Sequence, residues 1–379
     1  MKNGWQIVPM GQLCSIKSGK SDTKDAVEDG AYAFFDRSRT IKKSSRYLYD
    51  CEALIIPGEG TEFLPKHFVG KFDLHQRAYA LFEFSDRIDV KFLYYFLHHL
   101  CDYFPRVAVG ATVKSLRLRH FEQLPVALTG LPEQQRIVGI LDEAFEDITT
   151  AKANAEKNLQ NARALFESYL QSVFTHRGPG WMEKPLGSIA TFRNGINYTK
   201  DSKGESIRIV GVRNFQKNFF APLDDLDTIT IDGKLSEMDS LKQDDILAVR
   251  SNGNIELIGR CLLVGEVTDK ISHSGFTIRI RLAPGEVLPS YLCHFMKSAS
   301  SRKRLTEGGT GTNIKSLNQG MLSALTVPFP PVSAQKLIVE KLEHISEETK
   351  RLESIYRQKL ATLEALKKSL LYQSFTGKL

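Results

Sequence analysis

The chain has 379 residues, 42% of them hydrophobic and 25% charged, which is enough for two separate cores and too mixed a composition for a disordered segment. Lys and Arg number 51 against 44 Asp and Glu, a formal net charge of +7, and that excess favours a polyanionic partner. The five cysteines are odd in number, far apart and without Cys-x-x-Cys or Cys/His zinc spacing, and there is no leader-like or membrane-length apolar run; the expectations are therefore no disulfide scaffold, no metal site, no membrane and a reducing cytoplasm.

The chain starts with a short segment carrying Trp5, Pro9, Gly11 and Ser18-Gly19. From Asp36 to Arg46, five positive charges lie within ten residues, with Asp36 the single nearby acid and Tyr47 and Tyr49 alongside. Arg, Lys, Asn and Gln read base edges, while Lys, Arg, Ser and Thr hold phosphates. Arg37, Arg39, Lys42, Lys43 and Arg46 are accordingly candidate DNA-binding residues, and so are Gln76 and Arg77 further on. Ala53-Leu54-Ile55-Ile56 and Ala78-Tyr79-Ala80-Leu81-Phe82 are apolar runs between turns and predict strands. A helical stretch follows around Val90 to Cys101, and then the loop Gly110-Ala111-Thr112-Val113-Lys114-Ser115.

A long helix is predicted next, with Pro132 in its first turn and Gly178 as its stop. Alternate steps of four and three from Ile137 pass through Leu141, Ala144, Ile148, Ala151, Ala155, Asn158, Ala162, Leu165, Tyr169 and Ser172, a coiled-coil seam. A second opening segment carries Trp181, Pro185, Gly187 and Asn194-Gly195. Here Arg193, Asn194, Arg213 and Asn214 are candidate DNA-binding residues. After the predicted strand Ile246-Leu247-Ala248-Val249, the turn Arg250-Ser251-Asn252-Gly253-Asn254 presents side chains able to make bidentate contacts, so Arg250, Ser251, Asn252 and Asn254 join the set. Strand Phe276 to Ile280 and helical residues Ser290 to Leu305 precede the loop Gly308 to Ser316, in which Asn313 and Lys315 are candidates. The second long helix, with Ser333 as a candidate N-cap and Gly377 as its stop, has its seam at Ile338, Leu342, Ile345, Thr349, Leu352, Tyr356, Lys359, Leu363, Leu366, Leu370 and Gln373. Each helix is about 44 residues, or roughly 65 Å.

The chain is written twice. Gln134 and Gln335 stand 201 residues apart, and the same offset relates Leu141 to Leu342, Val113-Lys114-Ser115-Leu116 to Ile314-Lys315-Ser316-Leu317 and Phe174-Thr175 to Phe375-Thr376. The helices are therefore of equal length. At the domain starts the offset is 176, as for Trp5 and Trp181, so the second globular part carries about 25 more residues in its interior. The small seam residues of the first helix suit the bulkier ones of the second. A two-fold relation between the repeats makes the paired helices antiparallel.

The resulting expectation is an α+β protein: two globular α/β domains in tandem pseudo-repeat, at 1–131 and 178–332, separated by two long antiparallel coiled-coil helices, at 132–177 and 333–379. Both globular parts close through a Pro-rich turn, run into Glu133-Gln134-Gln135-Arg136-Ile137-Val138 or Ala334-Gln335-Lys336-Leu337-Ile338-Val339, and continue as a helix ending in Phe-Thr. This pattern resembles the specificity subunits of type I restriction-modification systems over essentially the whole chain. One departure is the first turn, Leu128-Thr129-Gly130-Leu131-Pro132, which lacks the consecutive prolines of Pro330-Pro331. The resemblance implies a non-catalytic subunit whose two domains each bind half of a split site in double-stranded DNA. It also implies helices that set the gap and dock two methyltransferase (modification) subunits, restriction subunits that complete the complex, and S-adenosylmethionine on the methyltransferase rather than here.

The residues themselves agree that catalysis lies elsewhere. There is no Asn- or Asp-Pro-Pro-aromatic motif for gripping a flipped base and no Gly-rich cofactor loop after a strand. The segment Gly308 to Ser316 is close to a P-loop, but Ile314 stands where its last glycine is required. His75 and His273 occupy comparable places without ligand partners. A scaffold that uses its coiled coil only to join proteins remains the alternative.

Overall fold

The computed structural model describes residues 4–216, 218–306 and 316–379. Its first globular domain contains strands β1 (Gln6–Pro9), β2 (Ser15–Ser18), β3 (Tyr32–Phe35), β4 (Lys42–Ser44), β5 (Tyr49–Pro57), β6 (Lys66–Leu74), β7 (Ala78–Phe82) and β8 (Pro125–Leu128), with helices α1 (Val90–His99), α2 (Phe104–Val107) and α3 (Leu118–Glu122). Strands β2-β7-β5-β6-β3-β4 form one six-stranded sheet, and β1 pairs antiparallel with β8. Alternation along β5 sends Leu54 and Ile56 towards Phe92, Leu93 and Phe96 of α1, while Ala53 and Ile55 join Phe35 and Phe72 on the opposite face. Asp89 caps α1 by accepting from the Phe92 N–H at 2.9 Å.

Helix α4 (Leu131–Thr175) leads to the second domain, with β9 (Met182–Pro185), β10 (Ala190–Asn194), β11 (Ser206–Val210), β12 (Asp227–Thr230), β13 (Ile246–Val249), β14 (Cys261–Leu263), β15 (Ile271–His273), β16 (Thr277–Leu282) and β17 (Thr326–Phe329), and α5 (Pro289–Lys297), α6 (Ala299–Thr306) and α7 (Gln319–Ala324). Helix α8 (Val332–Phe375) completes the chain. Here the strands form a four-stranded sheet, β10-β16-β13-β14, and a three-stranded one, β12-β11-β15. The second sheet is cut where the first is continuous, because two short strands, β14 and β15, stand where unbroken β6 lies in the first domain.

Equivalent hydrogen bonds locate the extra residues. Gly19 N–H donates to Ala78 O and Gly195 N–H to Thr277 O; Gly58 N–H donates to Arg77 O and Arg250 N–H to Phe276 O; Glu59 bridges Ser115 as Ser251 bridges Ser316. The offset therefore rises from 176 at Gly19 to 192 at Gly58, 199 at Arg77 and 201 at Ser115. The additional length is spread over several loops between strands rather than inserted as one block. Gly19 and Gly195 are glycines for a steric reason: a Cβ would lie 1.9 Å from the Leu74 carbonyl oxygen in one domain and 2.2 Å from that of Ser274 in the other. By the same register His75 corresponds to Ser274 and not to His273, which corrects the comparison of the two histidines by one residue.

The chain divides into two compact units, residues 1–157 with 356–379 and residues 158–355. Each unit therefore contains one globular domain, half of α4 and half of α8, so the units cut across the helix boundaries expected from sequence. In the first unit, Phe375 at the end of α8 sits edge-on to Phe92 and Phe96 of α1, at 5.2 and 5.3 Å between centroids. In the second, Phe174 at the end of α4 does the same to Tyr291 and Phe295 of α5, at 5.5 and 5.3 Å. Within both units the helices run antiparallel: Arg136 meets Leu379 and Lys152 meets Glu364 in the first, and Arg163 meets Glu353 and Tyr169 meets Lys341 in the second.

The seam departs from the strict four-three rhythm in its second half. Ile137, Leu141, Ile148, Ala155 and Ala162 are buried, but Asn158 is exposed beside half-buried Leu159, Leu165 is 60% exposed, and Leu170 and Phe174 take the buried places. In α8, Leu366 is exposed and Leu371 buried. An α-helix of 3.6 residues per turn drifts by roughly 20° per heptad against a 3.5 repeat, and several heptads move the buried stripe to the next residue. The helix starts also differ in detail from expectation. Ser333 lies inside α8, and the backbone carbonyl of Pro331 accepts from Ala334 and Gln335 as that of Gly130 does from Glu133 and Gln134. Both helices thus begin alike despite the missing proline. Gly377, at φ +71°, ends α8 with Lys378 N–H on Gln373 O; α4 has already ended at Thr175, before Gly178.

Candidate nucleic-acid interface

In the first domain the basic loop is fixed by its own buried acid. Asp36, 4% exposed, accepts from the Ser38 N–H at 2.8 Å and from Lys42 Nζ at 2.6 Å. Burial would raise its carboxyl, but the Lys42 ammonium and the Ser38 donors outweigh that and hold it below the ordinary carboxylate range. Lys66 Nζ donates to the Ser38 carbonyl at 2.6 Å, and burial lowers that ammonium's pKa. The loop between β3 and β4 is pinned from two sides, and Arg37 and Arg39 extend outward from it.

Their charge is not left unmatched, contrary to the expectation that Asp36 was the only nearby acid. Arg39 pairs with Glu62 at 2.5 Å, Arg37 and Arg77 both meet Glu59, and Arg46 reaches Asp25 at 3.1 Å and Asp73 at 3.5 Å. Gln76 donates to Asp22 at 3.3 Å. Lys43 is exposed and has no ion pair among the described residues. The acids come from other strands and turns, between 18 and 27 residues away in the cases of Glu62, Glu59, Asp25 and Asp73, where local charge counting does not find them. Lys114 is a residue the sequence reasoning left out. Its neighbour Ser115 bridges Glu59, and its carbonyl accepts from the Gly60 N–H at 2.9 Å. Arg37, Ser38, Thr61, Thr112 and Lys114 border an open recess of about 450 Å³. The signal was available, since Lys114 is Lys315 less the repeat offset.

The second domain's candidates separate into different environments. Asn214 is 3% exposed and serves the backbone: its Oδ1 accepts from Gly211 N–H at 2.9 Å and its Nδ2 donates to Asp225 O at 3.0 Å. It is removed from the accessible set. Arg213 pairs with Asp225 and Asp227, Arg193 with Asp239 at 2.5 Å, and Asn194 accepts from Gln319 at 3.1 Å. Arg250 has its backbone held by Phe276 and Leu317, with Nε buried and without a partner among the described residues. Asn252 Oδ1 accepts from Asn254 N–H at 2.8 Å, and Asn254 Oδ1 from Glu256 N–H at 3.0 Å. Neither carboxamide Nδ2 has a hydrogen-bond partner among the described residues, and Ser251 stands between Arg250 and Asn252 in the chain. Asn313 and Lys315, with the rest of the loop Gly308 to Lys315, lie outside the described residues.

The histidines have no catalytic setting. His273 is 1% exposed, Nδ1 lies 2.8 Å from Thr277 Oγ1, and burial lowers its pKa to about 3. Among the described residues no group of three or more His, Cys, Asp or Glu could hold a metal, and no helix is long and apolar enough to cross a membrane.

The geometry therefore consists of two duplicated mounts carrying unlike polar rims. The sequence profile for the type I restriction modification DNA specificity domain matches this chain twice, at residues 2–158 and 179–364. The EcoDI specificity subunit of a type I restriction enzyme from Escherichia coli is 22% identical over 404 residues, spanning 99% of this chain and 88% of that protein. The StySPI specificity subunit from Salmonella potsdam is 24% identical over 396 residues, spanning 98% and 82%. The fold is shared, at a TM-score of 0.74 and 14% identity over 100% of this chain and 99% of the other, with a chain solved in work on complex assembly and conformational transition of the type I R-M system. With both globular domains and the greater part of both helices inside the two matched segments, the chain belongs to the family of type I restriction modification DNA specificity domains.

Proposed function

We propose that this protein is the DNA sequence-recognition subunit of a type I restriction-modification complex, each domain binding one half of a bipartite site. One observation carries the reading: the two domains share a mount, seen in the equivalent Gln134 and Gln335 and in Phe375 and Phe174, while the rims they present differ in charge and shape. Recognition of two different half-sites asks for a constant support and a variable face. The subunit has no catalysis of its own. In this proposal α4 and α8 set the gap and dock two methyltransferase subunits, restriction subunits join that assembly, and S-adenosylmethionine is held by the methyltransferase. The net charge of +7 supports the DNA partner.

The test is adenine-methylation mapping of DNA from cells that express this chain with its methyltransferase, set against either protein alone. A split motif present only with both proteins is the expected result. Methylation indifferent to this chain, with the complex verified, would favour the coiled-coil scaffold.

A further inference from the structure

The rim of the first domain holds an arrangement that the second lacks. Glu59 sits in the turn after β5 and is 8% exposed. Its Oε2 accepts from Arg77 Nη1 at 2.7 Å, and its Oε1 lies 3.6 Å from Arg37 Nη1. The arginine side chains themselves are 62% and 63% exposed. Each guanidinium is tied by one terminal nitrogen only, which leaves Nε and Nη2 of both without partners among the described residues.

One nearly buried negative charge against two exposed positive ones leaves a net positive pair facing solvent. Its backbone supports are rigid: buried Asp36 and Lys66 fix the loop of Arg37, while Gly58 N–H bonds the carbonyl of Arg77 at 2.8 Å. A phosphate contact needs charge within reach and tolerates a mobile side chain. Bidentate bonding to guanine O6 and N7 needs a guanidinium plane held in position. Anchoring before binding also removes rotamer entropy that binding would otherwise have to overcome. In the second domain the places of Glu59 and Arg77 are taken by Ser251 and Phe276, the latter 61% exposed, so among the described residues neither the carboxylate nor the arginine recurs at these two places.

We propose that Glu59 is a positioning residue that holds Arg37 and Arg77 as a paired guanine-reading head for the half-site bound by the first domain. This rests on the DNA-recognition reading and assigns a base and three residues within it. The second half-site is read without such a pair.

The experiment is methylation mapping with the partner methyltransferase for the unaltered chain, for Arg77→Gln, Arg37→Gln and Glu59→Gln, and for cells lacking the chain, together with salt titrations of DNA binding by each complex. The expected result is a guanine in one half-site whose discrimination falls roughly ten- to a hundred-fold in Arg77→Gln and falls at the same half-site in Arg37→Gln and Glu59→Gln. The other half-site, recorded on the same DNA, stays unchanged and reports that the variants are folded. A half-site pair in which neither half contains guanine overturns the proposal. So does an unchanged motif, or a uniform loss over all sequences with the salt slope reduced by about one per arginine, the mark of a phosphate contact. A variant that loses both half-sites is replaced by Glu59→Asp and Arg77→Lys, and discrimination retained in full by both counts against it. Methylation that persists without the chain sinks the recognition reading itself, which the other failures leave standing.

Discussion

Gln134 and Gln335 make the same three hydrogen bonds to the same three places in their respective domains. Gln134 Oε1 accepts from Asp89 N–H, and its Nε2 donates to the carbonyls of Arg87 and Thr129; Gln335 Oε1 accepts from Leu288 N–H, and its Nε2 donates to those of Glu286 and Pro330. Both side chains are 0% exposed. Each glutamine ties the first turn of a long helix to the residues just before α1 or α5, so that domain and helix meet at a fixed angle. Replacing either by Leu removes three hydrogen bonds, most of them part-buried, and should cost roughly 2–4 kcal/mol. Urea unfolding measures the loss, and amide exchange should quicken at Asp89 in the Gln134 variant and at Leu288 in the Gln335 variant.

Phe174 and Phe375 close the two cores from the far ends of the helices. Phe375→Ala should destabilise the first unit by about 3–4 kcal/mol, while Phe375→Leu keeps most of the volume and should lose under about 1.5 kcal/mol. Phe174 should behave alike in the second unit. Thermal unfolding of the single variants tests this, and equal losses for Ala and Leu would show that the ring is not packed as described.

The seam drift is testable with two leucines five residues apart. Leu165, 60% exposed, should accept Gln within about 0.5 kcal/mol, whereas Leu170, 2% exposed, should lose about 2–4 kcal/mol as Ala. The strict four-three rhythm predicts the reverse order.

Three histidines, His273 and His294 buried and His98 half-buried, predict acid sensitivity. Burial lowers the pKa of His98 to about 4 and those of His273 and His294 to about 3, against an ordinary value near 6.5. A depressed folded-state pKa means the neutral ring is the one that fits, so its contribution is complete above pH 6.5 and is lost as pH falls towards 4 and then 3. Each histidine removes up to about 1.4 kcal/mol per pH unit in that window. The melting temperature should fall between pH 7 and pH 5, and His294→Phe, placed against Phe219, should lessen the slope.

The proposed spacer role of α4 and α8 predicts that four residues inserted at matched points of both helices lengthen the DNA gap and leave the half-sites alone. Four residues add about 6 Å, close to one or two base-pair steps. Methylation mapping reads both quantities, and a change in the half-sites themselves would contradict the division of labour.

Much of the architecture was legible because the repeat offset compares the chain with itself. Gln134 with Gln335 and Phe174 with Phe375 are visible as pairs in the sequence alone, although their partners around α1 and α5 are not. What the sequence hid was mostly a matter of distance along the chain. Glu59 and Glu62 pair with Arg37 and Arg39 from beyond β5, a relation that only the sheet creates. Asn214 resembled a reader because amides on loops often are, but its carboxamide is consumed by Gly211 and Asp225. Lys114 was missed even though the offset pointed to it, because its loop has fewer glycines than its counterpart.

The placement of Phe375 also sets an order of events during synthesis. The second unit is one continuous stretch, 158–355, and all of its core residues are synthesised before residues 356–379. The first domain emerges earlier, yet Leu371 and Phe375 of its core arrive later than every part of the second. The portion translated first is therefore the portion whose folding finishes last, and until then Phe92 and Phe96 of α1 lack the ring that closes over them from the end of α8.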